Sequence, residues 1–326
     1  MTKILKIFVL TLLLAAPAAH AQRFSISPVN ADAVLKKDHI RASVDYLCDP
    51  ALGGRATGTE GARKVASWLE GNFRVMGLQP LGGAWLHGFS TSDGMGRNVI
   101  GLIPGSASRY VVLMAHYDNL GVLNGAFYPG ADSNASGVAA LLELANMVTR
   151  MNTCHKIYGS GLIVVALDGK ERGQAGAAEL WRLIEQKKLL DPVSGQAVQA
   201  SQVSLVVNLD QLGGTLAPLT EGNPRFLMML SDDAVGRRGA LDNANKGKGF
   251  ALELAYDYYG SADFTKLFYR RISDQRVFLE HGIPAVMFTS GITFLNNKPT
   301  DTPASLDYDV LYDRIRLIFH WLDKVL

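Results

Sequence analysis

The 326 residues are 48% hydrophobic, 19% charged and 9% aromatic, a balance that excludes a disordered chain and supplies enough apolar material for a full core. Thirty-two basic against 30 acidic residues give +2, and loss of Lys3 and Lys6 with a cleaved leader would leave 30 against 30, a neutral chain. No Lys/Arg stripe concentrates positive charge, so there is no footprint for a phosphate backbone and nucleic acid is not an expected partner.

The first element is a leader. Lys3 and Lys6 precede an apolar run from Ile7 to Ala16, and Ala19-His-Ala21 stands before Gln22. This predicts a signal peptide over 1–21, cleavage near Ala21 and export to the periplasm or the medium. The run is shorter than the roughly 20 residues a span needs, and no later stretch reaches that length, so the mature chain is expected to lack a transmembrane segment.

Residues 22–37 read as an irregular lead-in, followed by a helix from Asp38 to Cys48 with Ile40, Val44 and Leu47 on one face. Thr57-Gly-Thr-Glu60 fits a capping box ahead of a helix from Ala62 to Met76, which Gly77 ends. Strands and helices then alternate: strands Asn98–Ile103 and Tyr110–Ala115, helix Ser136–Arg150, strand Leu162–Leu167, helix Gly173–Gln186, and strands Val203–Leu209 and Phe226–Leu230. A polar stretch leads to Phe250, a short helix lies near Asp274 to Glu280, a strand covers Ala285–Phe288, and an amphipathic helix starts at Leu306. The near-continuous apolar runs at 110–115, 162–167 and 203–209 are the pattern of strands covered on both faces. The expected fold is therefore an α/β three-layer sandwich with a mixed, mainly parallel central sheet. With no linker, repeat or low-complexity tract to divide it, 22–326 is expected to be one domain.

Two cysteines, Cys48 and Cys154, cannot build a disulfide framework or a Cys-based zinc site, and are expected to be separate buried thiols. Any metal would need His and carboxylates. In open α/β sheets ligands bind beyond the carboxyl ends of the strands. There the sequence places His116 and Asp118, then Asp168, Lys170 and Glu171, then Asp210, with Asp132 and Ser133 in the turn-rich Pro129-Gly-Ala-Asp-Ser-Asn-Ala-Ser-Gly137. His116-Tyr-Asp118 fits an imidazole whose second nitrogen is held by a carboxylate. The other histidines, His39, His87, His155, His281 and His320, lack such a setting, and Asp232-Asp233 reads as a helix cap.

At these residues the chain resembles the co-catalytic zinc aminopeptidases of metallopeptidase family 28, whose fold is shared with glutaminyl cyclases. The resemblance runs through Gly54-Arg-Ala-Thr-Gly-Thr-Glu-Gly61, Ala115-His-Tyr-Asp118, Gly130-Ala-Asp-Ser-Asn-Ala-Ser-Gly137, Leu167-Asp-Gly-Lys-Glu-Arg-Gly173, Asn208-Leu-Asp-Gln-Leu-Gly213, Ser273-Asp-Gln275 and Pro299-Thr-Asp-Thr302. It implies zinc ligands at His116, Glu171 and Asp210, with Asp118 and Asp168 behind them. It also shows three departures: Ser133 stands where the bridging Asp is expected, Lys170 where the general-base Glu is expected, and Asn297 where the second zinc-binding His is expected. A hydroxyl bridges dications poorly, a protonated lysine takes no proton from water, and an amide is a weak zinc ligand.

The resemblance thus implies a metal-free or zinc-poor site on an aminopeptidase fold, with a crevice able to bind a peptide or its N-terminus and Lys170 paired with Glu171 or Asp210. Whether the chain is an enzyme is left open. An alternative is a working aminopeptidase with a single or shifted zinc, Asp132 replacing the bridging Asp and Asp168 or a water chain serving as base. Glutaminyl-cyclase-like chemistry, suggested by Asp168-Gly169, and a Ser133/Lys170 nucleophile pair are lesser alternatives. Oligomeric state is not read from the sequence.

Overall fold

The computed structural model describes residues 30–154, 156–231 and 235–326. The leader, His155 and Asp232-Asp233 lie outside the described residues. Ile40, Val44 and Leu47 form the buried stripe of α1 (Lys37–Leu47), and Val65, Leu69 and Phe73 that of α2 (Glu60–Val75). The predicted cap of α2 is corrected by two residues: Thr59 accepts the Ala62 N–H, whereas the Thr57 hydroxyl is turned inward to Asp168.

After α2 come β1 (Gln79–Pro80), β2 (Leu86–Thr91), β3 (Gly94–Ile103) and β4 (Ala107–His116), then a small hairpin, β5 (Gly121–Leu123) and β6 (Ala126–Tyr128). The chain continues through α3 (Ser136–Thr153), β7 (Ser160–Leu167), α4 (Ala175–Glu185), β8 (Val203–Leu209) and β9 (Phe226–Leu230). The polar stretch before Phe250, to which the sequence assigned no element, contains a helix, α5 (Val235–Lys248). Its few apolar positions hid the helical period: Leu241 is buried in the core, with Ala240 and Ala244 partly buried against it. Then follow β10 (Glu253–Ala255), α6 (Ala262–Arg271), α7 (Gln275–Glu280), β11 (Ala285–Thr289) and α8 (Tyr308–Val325).

Nine strands form one mixed sheet in the order β1-β3-β7-β4-β8-β11-β9-β10, with β2 also on β3. The centre is parallel: β4 with β7, β4 with β8, and β8 with β11. Alternate side chains divide between two cores. Val111, Leu113 and Ala115 of β4 face the layer that contains α1, α2, α3 and α8, while Val112 and Met114 face α4, α6 and α7. Register sets the functional end. His116 pairs with Leu167, and Met114 with Asn208, so His116, Asp168 and Asp210 leave the sheet at one level.

Cys48 is buried with its thiol on the Pro129 carbonyl, Cys154 is half-buried, and both are free. None of the helices among the described residues is long and apolar enough to cross a membrane.

Candidate active-site crevice

Two buried arginines hold the loops that surround the strand ends. Arg55, at φ 60°, donates to the carbonyls of Leu47, Tyr117, Pro129 and Gly130. It thereby ties the end of α1 and the residue after His116 to the turn that carries Asp132 and Ser133. Arg314 of α8 does the same on the far side, donating to Leu212, Gly214 and Phe226 carbonyls. Backbone carbonyls at element ends have no partner of their own, and one guanidinium with five donors satisfies several at once. Sequence reasoning missed both residues; the only signal was that Arg55 sits in the Gly-rich 54–61 motif. Gly54 is required there, because a Cβ would stand 2.7 Å from the Gly121 Cα and its φ is +72°.

His116 is fully buried at the end of β4. Its Nδ1 lies 3.1 Å from the Asp118 carbonyl and 3.5 Å from Asp118 Oδ1, and its Nε2 lies 3.5 Å from Asp210 Oδ1. Burial opposes a charge on this ring, but the carboxylates of Asp118 and Asp210 outweigh it and push its pKa up to about 10. Asp118 also accepts the Lys170 and Glu171 N–H groups, each at 3.0 Å, so one carboxylate locks the turn after β7 to the end of β4. Asp168 is turned the other way. It accepts from the Thr57 and Tyr117 hydroxyls and the Arg97 N–H, and burial beside Asp118 raises its carboxyl to about 6.

Lys170 and Glu171 meet at 2.7 Å, each side chain 14% exposed. Burial works against the ammonium, yet Asp210, Glu171 and Asp274 overcome it and hold its pKa above the ordinary lysine value. For Asp210 burial is likewise outweighed, by His116, Lys170 and the Ser273 hydroxyl, and its carboxyl lies well below the usual range.

Asp274 lies in the Ser273-Asp-Gln275 motif, to which sequence reasoning gave no role. It is fully buried, both carboxylate oxygens lack a hydrogen-bond partner, and burial raises it to about 7, with His116 and Lys170 favouring its charge and Asp118 and Asp210 opposing it. The Ser273-Asp-Gln275 segment is placed by Asn208 of β8, whose amide donates to Ser273 Oγ and Gln275 Oε1.

The remaining candidates, Asp132, Ser133 and Asn297, share none of the hydrogen bonds just described for this cluster. Asp132 is buried, but its Oδ1 accepts from the Gly213 and Gly214 N–H groups and the Ser136 hydroxyl, leaving only Oδ2 unpartnered. Ser133 is buried with an unpartnered hydroxyl. Its N–H and that of Asp132 are held by the Asp301 carboxylate, which anchors the 299–302 segment against this turn. Asn297 is exposed. Among the described residues, no group of three or more His, Cys, Asp or Glu side chains is arranged to hold a metal ion.

The model of peptidase family M28 matches residues 98–322, most of the chain, including His116, Asp118, Asp168, Lys170, Glu171, Asp210 and Asp274. The chain belongs to peptidase family M28. The M28 assignment agrees with the architecture: the LapA aminopeptidase of Legionella pneumophila superposes with a TM-score of 0.69 at 15% identity, covering 90% of this chain and 73% of that one. The glutaminyl cyclase of Porphyromonas gingivalis superposes with a TM-score of 0.65 at 20% identity over 90% and 99%. A BOS complex subunit of Danio rerio, ncln, is 32% identical over 126 residues, 36% of this chain and 21% of that protein. The chain spans between 17% and 63% of the curated relatives it matches.

Proposed function

We propose that this protein is an exported, non-hydrolytic M28 member whose crevice holds a peptide terminus without a metal. The observation that carries this reading is the Lys170 ammonium, 2.7 Å from Glu171 Oε1 and stabilised by Asp210 and Asp274, in the middle of the carboxylates a zinc centre would use. A cation already balances them, and bringing dications into the same space would force two positive charges together in a low-dielectric crevice. The two-metal centre of the family therefore does not fit these side chains. A single zinc moved onto Asp132 would have only Oδ2 of that carboxylate to bind, since Oδ1 is committed to three donors. With a lysine at the position where the family resemblance implies the general-base Glu, binding is the role we assign to the crevice. Likeness to an aminopeptidase supports a peptide as ligand, and the features of residues 1–21 support export.

The test is metal stoichiometry and aminoacyl-anilide hydrolysis on the mature protein, equilibrated with zinc and desalted, beside a His116→Ala variant. The expected result is no retained zinc and no hydrolysis in either. Stoichiometric zinc lost in His116→Ala, together with hydrolysis, would overturn the proposal.

A further inference from the structure

Helix α6 is held to the protein by one side only. Thr265, Phe268 and Tyr269 are buried, while Phe264, whose ring stacks on Phe268 at 6.0 Å, and Leu267 at the margin of that face are each 48% exposed. Exposed apolar side chains scattered singly need no explanation, but these are not isolated. The Tyr258 ring lies 5.5 Å from Phe264 and 4.7 Å from Tyr259, itself 40% exposed. The Tyr258 hydroxyl accepts the Ile292 N–H at 3.1 Å, which brings the 291–298 loop to the same face. Two residues further along that loop, Phe294 is 74% exposed. The 258–259 segment and α6 therefore present aromatic and aliphatic groups to solvent beside one another, and the loop joined to them at Ile292 carries a further exposed ring.

The charges on this face are mainly positive. Lys266 and Arg271 on α6 and Lys298 in the loop are exposed and have no side-chain partner among the described residues; Asp263, in the first turn of α6, is the nearby acid. Apolar side chains standing out beside basic ones, with tyrosine between, match the interfacial zone of a bilayer. Rings and aliphatic chains there enter the headgroup boundary and cations meet anionic lipid. A fluid surface accommodates side chains from three segments without the matched shape a folded partner must supply.

We propose that this face seats the protein peripherally on an anionic lipid surface, with Phe264, Leu267 and Phe294 in the interface and Lys266 and Arg271 against the headgroups. The inference is independent of the peptide-binding reading.

The experiment is co-sedimentation of the mature protein with vesicles of phosphatidylcholine alone and of phosphatidylcholine with phosphatidylglycerol. Binding is expected only to the anionic vesicles and should weaken with salt. Phe264→Ser with Leu267→Ser should lower the partition coefficient at least about tenfold, given the apolar area withdrawn. Lys266→Glu with Arg271→Glu, which leaves the apolar groups in place, should lower it by a similar factor, about one order of magnitude. All four positions are exposed, and an unchanged thermal melt shows that each variant is folded. Absence of vesicle binding, or binding that neither pair of substitutions alters, refutes the proposal. A vesicle-free dimer that dissociates in the Phe264/Leu267 variant also refutes it, by assigning the face to a second copy of the chain.

Discussion

A buried ammonium is stable only where carboxylates surround it, and Lys170 has Glu171 in contact and Asp210 and Asp274 acting on it. Replacing it with methionine keeps the length and removes the charge, leaving those acids to repel one another. Lys170→Met should cost about 3–5 kcal/mol at pH 7 in urea unfolding. The cost should shrink as the pH falls and the stranded carboxyls take up protons; a loss that stays constant from pH 7 to pH 4 would assign Lys170 a packing role only. Glu143 gives a second test remote from the crevice. It lies on α3 with Oε1 3.8 Å from His39 and Oε2 unpartnered, and burial raises its carboxyl to about 7, against an opposing Lys36 backbone N–H. Between about pH 4.5 and 7 the unfolded chain releases this proton and the folded chain keeps it, so stability from this group falls as the pH rises through that window. Glu143→Gln should therefore match the wild type near pH 4 and be more stable by on the order of 2–3 kcal/mol above pH 7. Equal pH profiles would show that Glu143 ionises freely. The burial of Asp274 and Glu143 is not legible in the sequence, even though Asp274 lies in the Ser273-Asp-Gln275 motif, because an acid's burial depends on what packs over it.

Element boundaries show how local patterns succeed and where they slip. The strand runs at 203–209 and 226–230 were legible to the residue, since apolar stretches bounded by polar ends coincide with ladders covered on both faces. The start of α2 was not, because Thr57 and Thr59 are both N-cap types two residues apart. The structure gives Thr59 the cap and sends Thr57 to Asp168. Thr59→Ala should cost about 1 kcal/mol in urea unfolding; no loss would mean that the helix start tolerates uncapped N–H groups. The small strands β1, β2, β5, β6 and β10 and the helices α5 and α6 were not foreseen. Their apolar positions are too few to show a period, and the strands exist because a neighbouring edge was there to pair with.

At the scale of the whole molecule, the sheet does what no single motif could: it brings His116, Lys170, Glu171, Asp210 and Asp274 from three strand ends and one helix start into one cluster. The layered α/β fold, the parallel centre and the family were determined by the sequence itself, because strand burial and the order of motifs are local or nearly local signals. So were the residues Ser133, Lys170 and Asn297 at the positions where the resemblance implies a bridging Asp, a base Glu and a second His, since these need only position in the chain. The pairing of Lys170 with Glu171, the isolation of Asp132 behind the Gly213 and Gly214 amides, the two arginine anchors and the exposed face of α6 were decided by tertiary structure. Each depends on groups distant in the chain meeting in a low-dielectric interior, or failing to be covered. Electrostatics and burial there follow from packing, which residue identity and spacing do not encode.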